Sequence, residues 1–160
     1  MAELNYNSNQ DLDLDGKLML SMGGIPVAFA TSAKLSINTD MVDTTNMMSG
    51  DWKDEVPGVK SFTVSSEALM THKEGAVSAD KLVDNQIDDK LIDFQFGEFK
   101  RSGDETTGYT YALDTTKKSY SGKIRITSIE LTGENSKLKK YSMNANGSGP
   151  LVPVAAVAGA

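Results

Sequence analysis

A mainly β chain carrying one short helix is the fold class this sequence predicts, and three observations predict it. Apolar and polar side chains alternate through most of the chain, which is the period of a strand with one buried face. Helical spacing stands out in one place, residues 78–87. Two strand-like blocks, residues 50–69 and 120–151, are built of turn and strand residues and share no catalytic residue, which points to assembly rather than chemistry.

Taken in order, Leu18, Leu20 and Met22 share one face, Gly23-Gly24 offers a tight turn, and Ile25, Val27 and Phe29 return as the second arm of a hairpin. Leu35 and Ile37 mark a third strand. Residues 39–58 show little periodicity and read as a long extended loop, yet they carry Met41, Val42, Met47, Met48, Trp52 and Val56. Apolar side chains of that number need a partner surface, so the segment is expected to order only on assembly, with Met41, Met47, Met48, Trp52 and Val56 as contacts to another subunit. A fourth strand turns Phe62, Val64, Ala68 and Met70 to the core and Ser61, Thr63, Ser65 and Glu67 away from it. Ser78 is placed to cap the helix, with Asp80 near its positive end and Leu82, Val83 and Ile87 at helical spacing. Ile92, Phe94 and Phe96 mark a strand, residues 100–108 an exposed loop, and residues 109–113 a short strand.

The last third reads as a long hairpin whose apolar phase changes twice. Ile124 and Ile126 differ in parity from Ile129 and Leu131, so a β-bulge is predicted at Thr127-Ser128; Leu138 differs from Tyr141, Met143 and Ala145, which predicts a second at Lys139-Lys140. Gly147-Ser148-Gly149 reads as a flexible strand exit. The expected organisation is an amino-terminal arm over residues 1–15, a β domain over 16–151 and an apolar tail over 152–160.

At 160 residues and 17.2 kDa the chain fits one domain, which at this size buries roughly 68–70% of the surface its unfolded chain exposes. There are no cysteines, so disulfides, thiolate metal sites and thiol nucleophiles are excluded together. A net charge of −6 argues against gripping nucleic acid; the basic clusters Lys117-Lys118 and Lys137 with Lys139-Lys140 are short enough to be solvated strand edges. Residues 1–15 lack a basic and an apolar leader region, and residues 151–160 are too few to span a bilayer, so a soluble protein with no export signal and no membrane partner is expected.

Asp11, Asp13 and Asp15 before Gly16 match the opening of a calcium loop, but the twelfth position, where a bidentate glutamate belongs, is Met22. An acidic amino-terminal arm that contacts another subunit is the better reading, and no metal or cofactor is expected. His72 is the only histidine, Ser148 lacks nucleophile-elbow spacing, and no carboxylate pair is singled out, so no enzyme is expected. Trp52 could stack on a sugar, but a lone tryptophan makes no platform.

Gly50-Asp51-Trp52 followed by Pro57-Gly58-Val59-Lys60-Ser61-Phe62-Thr63-Val64-Ser65, then Tyr120-Ser121-Gly122 leading into Ile124-Arg125-Ile126-Thr127-Ser128-Ile129, and Tyr141-Ser142-Met143 running to Gly147-Ser148-Gly149, resemble the major tail tube proteins of long-tailed bacteriophages, chiefly the non-contractile kind. The resemblance covers about Gly16 to Leu151 and extends to tube proteins of tail-like injection particles. It implies a β-sandwich or barrel-like domain flanked by a helix, a hexameric ring with a continuous inner barrel, and rings stacked around a tape-measure protein into a tube that later conducts the genome. It further implies a tail terminator as partner, non-specific passage of DNA, a virion tail location and assembly in the host cytoplasm. The family lumen is generally acidic, in line with the net charge here, and Ser61, Thr63, Ser65 and Glu67 are the lumen-facing candidates. The apolar tail is longer than the family pattern demands. A rival reading from another class is a monomeric carbohydrate-binding or adhesion module, calcium-dependent through Asp11, Asp13 and Asp15.

Overall fold

The structure, a computed structural model, describes residues 17–27, 29–71 and 75–156. Among them are nine strands, β1 (Lys17–Met22), β2 (Ile25–Pro26), β3 (Ala30–Asp43), β4 (Glu55–Leu69), β5 (Ile92–Asp104), β6 (Gly108–Leu113), β7 (Ser119–Thr132), β8 (Lys140–Gly147) and β9 (Val152–Val154), with one helix, α1 (Ala79–Ile87). All nine strands join in one sheet of order β2-β1-β5-β7-β8-β4-β3, with β6 added beside β5 and β9 beside β7. The ladders are antiparallel, and the sheet curls until β3 comes close to β1, giving a half-barrel.

Alternation dictates the core. Leu20 and Met22 of β1, Phe62, Val64 and Ala68 of β4, Phe94 and Phe96 of β5, Ile124 and Ile126 of β7, and Tyr141, Met143 and Ala145 of β8 fill the concave side, joined by Val27, Val77 and the helix residues Ala79 and Leu82. Full burial of a residue such as Leu82 contributes about 1.5–3 kcal/mol. Ser78 holds the predicted N-cap position with extended backbone, but its hydroxyl makes no capping bond, and Ile87 lies on the solvent side of the helix rather than in the core.

The bulge predicted at Thr127-Ser128 is present: Ile126 pairs with Ala145 and Ser128 with Asn144, leaving Thr127 as the extra residue. Its carbonyl accepts a bond of 3.1 Å from the Gln86 side-chain amide, so the irregularity ties α1 to the sheet. The second predicted bulge is absent. Register runs unbroken from Ser128↔Asn144 to Thr132↔Lys140, and Leu138 lies exposed before the strand begins, so its parity has no meaning.

Three further expectations are corrected. Residues 39–58 are not one long loop: β3 runs to Asp43 and β4 starts at Glu55, with Thr39↔Lys60, Met41↔Pro57 and Val42↔Val56 paired across a register shift, so the connection is only 44–54. Both faces of this distal ladder are exposed, which is why no alternation marks it. Residues 100–108 are likewise ladder, since β5 reaches Asp104 and pairs with β6 around a turn held by Asp104, whose carboxylate accepts bonds from the Thr106 and Thr107 amides. The second arm of the first hairpin is two residues long because Pro26 cannot donate to a ladder, and Phe29 sits exposed with φ 53 rather than in a strand. The tail also begins inside the sheet: Val152 and Val154 pair with Ser121 and Ser119.

Gly147 is not a flexible exit either. It ends β8 opposite Ile124, and the ring of Phe62 lies directly on its backbone, so a Cβ there would overlap the ring. Phe62 in turn stacks on Phe94, centroids 5.6 Å apart, while Phe94 rests on Gly122.

The Tyr141 and Ser21 hydroxyls are buried without a hydrogen-bond partner among the described residues, and burial pushes the Tyr141 phenol up to about 12.

Gly147→Ala should destabilise the subunit by about 1–3 kcal/mol through displacement of Phe62, measured by denaturant unfolding, whereas Gly133→Ala, where the added methyl meets nothing, should not. Because the folded Tyr141 value lies above the unfolded value near 10, its contribution is intact below pH 10 and is lost as pH rises toward 12. Tyr141→Phe should therefore flatten the alkaline loss of stability and, by deleting an unsatisfied hydroxyl, raise neutral-pH stability by about 1 kcal/mol.

Candidate assembly surfaces

Two surfaces remain once the concave side is filled. The first is the convex face of β3, β4, β8 and β7. Successive rungs across these strands place together Asn38 and Ser61; Ser36, Thr63, Asn146 and Arg125; Lys34, Ser65, Asn144 and Ser128; and Ser32, Glu67, Ser142 and Glu130. Ser61, Thr63 and Glu67 are exposed and Ser65 half-buried, while their sequence neighbours Phe62, Val64, Ser66 and Ala68 are buried, so the four predicted residues do turn away from the core. The Asn144 amide donates to the Ser128 hydroxyl at 3.1 Å, and the Thr127 hydroxyl to the Asn144 carbonyl at 3.1 Å. Hydroxyl and amide groups dominate, and the few charges leave a small basic excess, Lys34, Lys123, Arg125 and Lys140 standing against Glu67 and Glu130. This face is therefore not acidic, although the chain as a whole carries a net charge of −6. Ser36, Arg125, Ser142, Asn144 and Asn146 were missed from sequence although the signal was available, because Ser142, Asn144 and Asn146 alternate with Tyr141, Met143 and Ala145.

The second surface is the distal β3–β4 hairpin. Met41, Val42, Val56 and Val59 are exposed along its ladder, and Met47, Met48 and Trp52 at its tip; Trp52 is 83% exposed. The residues singled out from sequence thus come together on one projection, with Val59 and Ile37 added by the structure. The tip carries its own hydrogen bonds. The Thr44 amide donates to the Asp54 carbonyl (2.8 Å), the Asp54 amide to the Thr45 hydroxyl (2.9 Å), and the Met48 amide to the Asn46 side chain (2.8 Å). The Thr45 side chain and amide hold the Asp43 carboxyl below its ordinary range. Lys53 and Glu55 form an ion pair at the base of the tip.

Of the other sequence candidates, Asp11, Asp13, Asp15 and His72 lie outside the described residues. Among the described residues no group of three His, Cys, Asp or Glu side chains could hold a metal ion. No helix among them is long and apolar enough to cross a membrane.

A curled antiparallel sheet with one face closed by a helix, the other carpeted with small polar groups, and a long hairpin projecting from its edge defines a structural protein of the tail-tube kind. The chain belongs to the phage tail tube protein family, which matches residues 21–153. Its fold is similar to a chain in the virion of a native gene transfer agent particle, at TM-score 0.66 and 19% identity over 86% of this chain and 95% of that one. It is also similar to a chain in the tail of an empty gene transfer agent particle refined with C6 symmetry, at TM-score 0.64 and 19% identity over 86% and 96%. The SPP1 tail tube gives TM-score 0.59 and 10% identity over 86% and 76%. Comparison with curated proteins gave no match.

Because Trp52 contacts solvent rather than core, Trp52→Ala should change the unfolding free energy of the free subunit by no more than about 0.5 kcal/mol, as measured in denaturant.

Proposed function

We propose that this chain is the repeating subunit of a tail tube, in which six copies close into a ring and rings stack through the apolar hairpin tips. The observation that carries the reading is the contrast between the two surfaces, on a fold whose solved relatives include a tail refined with C6 symmetry. The convex face is polar and dominated by small hydroxyl and amide groups with few charges, which suits the wall of a bore through which a polyanion must slide. Met47, Met48 and Trp52 are of the types enriched at protein interfaces and suit contacts to the next subunit or ring, with Met41 and Val56 along the same arm. Ring closure gives the open edges of the sheet a use, since edge strands left bare invite uncontrolled pairing.

On this reading Ser61, Thr63, Ser65 and Glu67 line the lumen, a tape-measure protein occupies it during assembly in the host cytoplasm, and a terminator caps the last ring. DNA then passes through the finished virion tail. The role is structural and calls for no catalytic group.

Two measurements test it. Trp52→Ala, with its free subunit intact, should lower tube yield seen by negative-stain microscopy at least tenfold, since truncating a buried aromatic anchor costs about 2 kcal/mol or more at an interface. The chain has no cysteine, so Thr63→Cys introduces a single thiol. A bulky thiol reagent should label it in free subunits and not in assembled tubes; equal labelling in both would remove the convex face from the lumen.

A further inference from the structure

The apolar hairpin tip is poorly suited to cover a second tip. Asp43, Asp51, Asp54 and Glu55 stand around it against Lys53, so two tips brought face to face would set like charges together. Its complement is an apolar surface of opposite charge. The turn joining β7 to β8, residues 133–139, supplies one: Leu138 is 71% exposed there, and Lys137, Lys139 and Lys140 outnumber Glu134, to which Lys137 is paired at 2.8 Å. Beside Leu138 a cleft of about 500 Å³ opens at the end of the convex face, bordered by Thr31, Glu67, Glu130, Thr132, Lys137 and Lys140. A bulge in β3 helps to shape it. Ala30 pairs with Ala68 and Ser32 with Glu67, leaving Thr31 as the extra residue, and its hydroxyl donates to the Glu67 carbonyl at 3.2 Å.

Tip and cleft lie at opposite ends of the same two strands. β3 passes the cleft at Thr31 and reaches the tip at Asp43, while β4 returns from Glu55 to Glu67, a span of roughly 40 Å at about 3.3 Å per residue. A tip therefore cannot enter the cleft of its own chain. We propose that it enters the cleft of a second copy, with Trp52 packed on Leu138 and with Asp51 and Asp54 facing Lys137 and Lys140, a docking that rests on the tube-subunit reading and assigns the surface that receives the tip. An indole ring is small for a cleft of this volume, which leaves room for Met47 or Met48 beside it. Glu67 and Glu130 give the cleft acceptors for the indole N–H, a group that can only donate. The contact is heterologous, because the giving surface differs from the receiving one, so each docked copy still offers one of the two to the next.

The chain has no cysteine, so single thiols can be placed on either surface. Asp51→Cys and Lys137→Cys, carried on separate chains, alter exposed positions and keep Trp52, Leu138, Asp54 and Lys140. Mixed at assembly concentration and treated with a short bismaleimide, the two variants should give a covalent dimer joined through positions 51 and 137, identified by peptide mapping. Either variant alone should run as a monomer on a denaturing gel. Lys139→Cys replaces Lys137→Cys as the receiving variant if the latter fails to fold. Homodimers of Asp51→Cys in equal yield would overturn the proposal by placing tip against tip. Tubes seen by negative-stain microscopy in a mixture that forms no tip-to-turn link would overturn it while leaving the tube reading intact. A link without tubes would uphold the end-to-end contact and remove the tube, and the absence of both would remove both.

Discussion

Everything else in this subunit depends on two phenylalanine rings lying on bare backbone. Phe62 projects from β4 across Gly147 at the end of β8, and Phe94 projects from β5 onto Gly122 of β7. The rings meet each other over the middle of the sheet and so bind four strands that are distant in sequence into one curved wall. A side chain at Gly147 would overlap the Phe62 ring and one at Gly122 would crowd Phe94, and each ring removes a large apolar area from water. The close packing of β4, β5, β7 and β8 in the core depends on how closely those rings can approach the backbone.

The helix is held by a complementary device. A β-bulge at Thr127 takes one carbonyl out of the ladder, and the Gln86 side-chain amide donates to it, so the acceptor freed by the irregularity becomes the point of attachment. The same bulge restores Ile129 to the core side, where it packs against the main cluster. With helix and bulge closing the concave face, the convex face is left with rows of serine, threonine and asparagine outside the apolar core. The hairpin tip is likewise decoupled: its bonds are internal and its apolar groups face outward.

Much of this was legible in the sequence wherever burial imposed alternation. The core faces of β4, β7 and β8, the single helix and the Thr127 bulge all follow from parity, and the order of segments carried the family resemblance. Parity failed where burial was absent. Met41, Val42 and Val56 lie in a ladder with both faces exposed, so they looked like a loop; Leu138 is exposed and predicted a bulge that does not exist. Phe29 failed for a backbone reason, its positive φ turning it out of line after Pro26 stopped the strand. Gly147 was misread because a glycine among serine and glycine looks like a hinge, and only the position of Phe62, far away in sequence, reveals it as a seat. The convex carpet was half found, since it emerges only when the registers of four strands are laid side by side.

The order of strands in the sheet sets a timetable for the newborn chain. The β3–β4 hairpin closes between neighbours in sequence and can form as soon as Leu69 has been synthesised, but the other edge of β4 is satisfied only by β8, which begins at Lys140. Pairings between segments so far apart are slow to close, and an incomplete sheet exposes strand edges meanwhile. Until its last quarter emerges, the nascent chain carries a finished apolar hairpin beside an unfinished wall. The exposed apolar projection is thus complete before the body that must hold it, which makes the interval between the two an aggregation-prone stage for the chain.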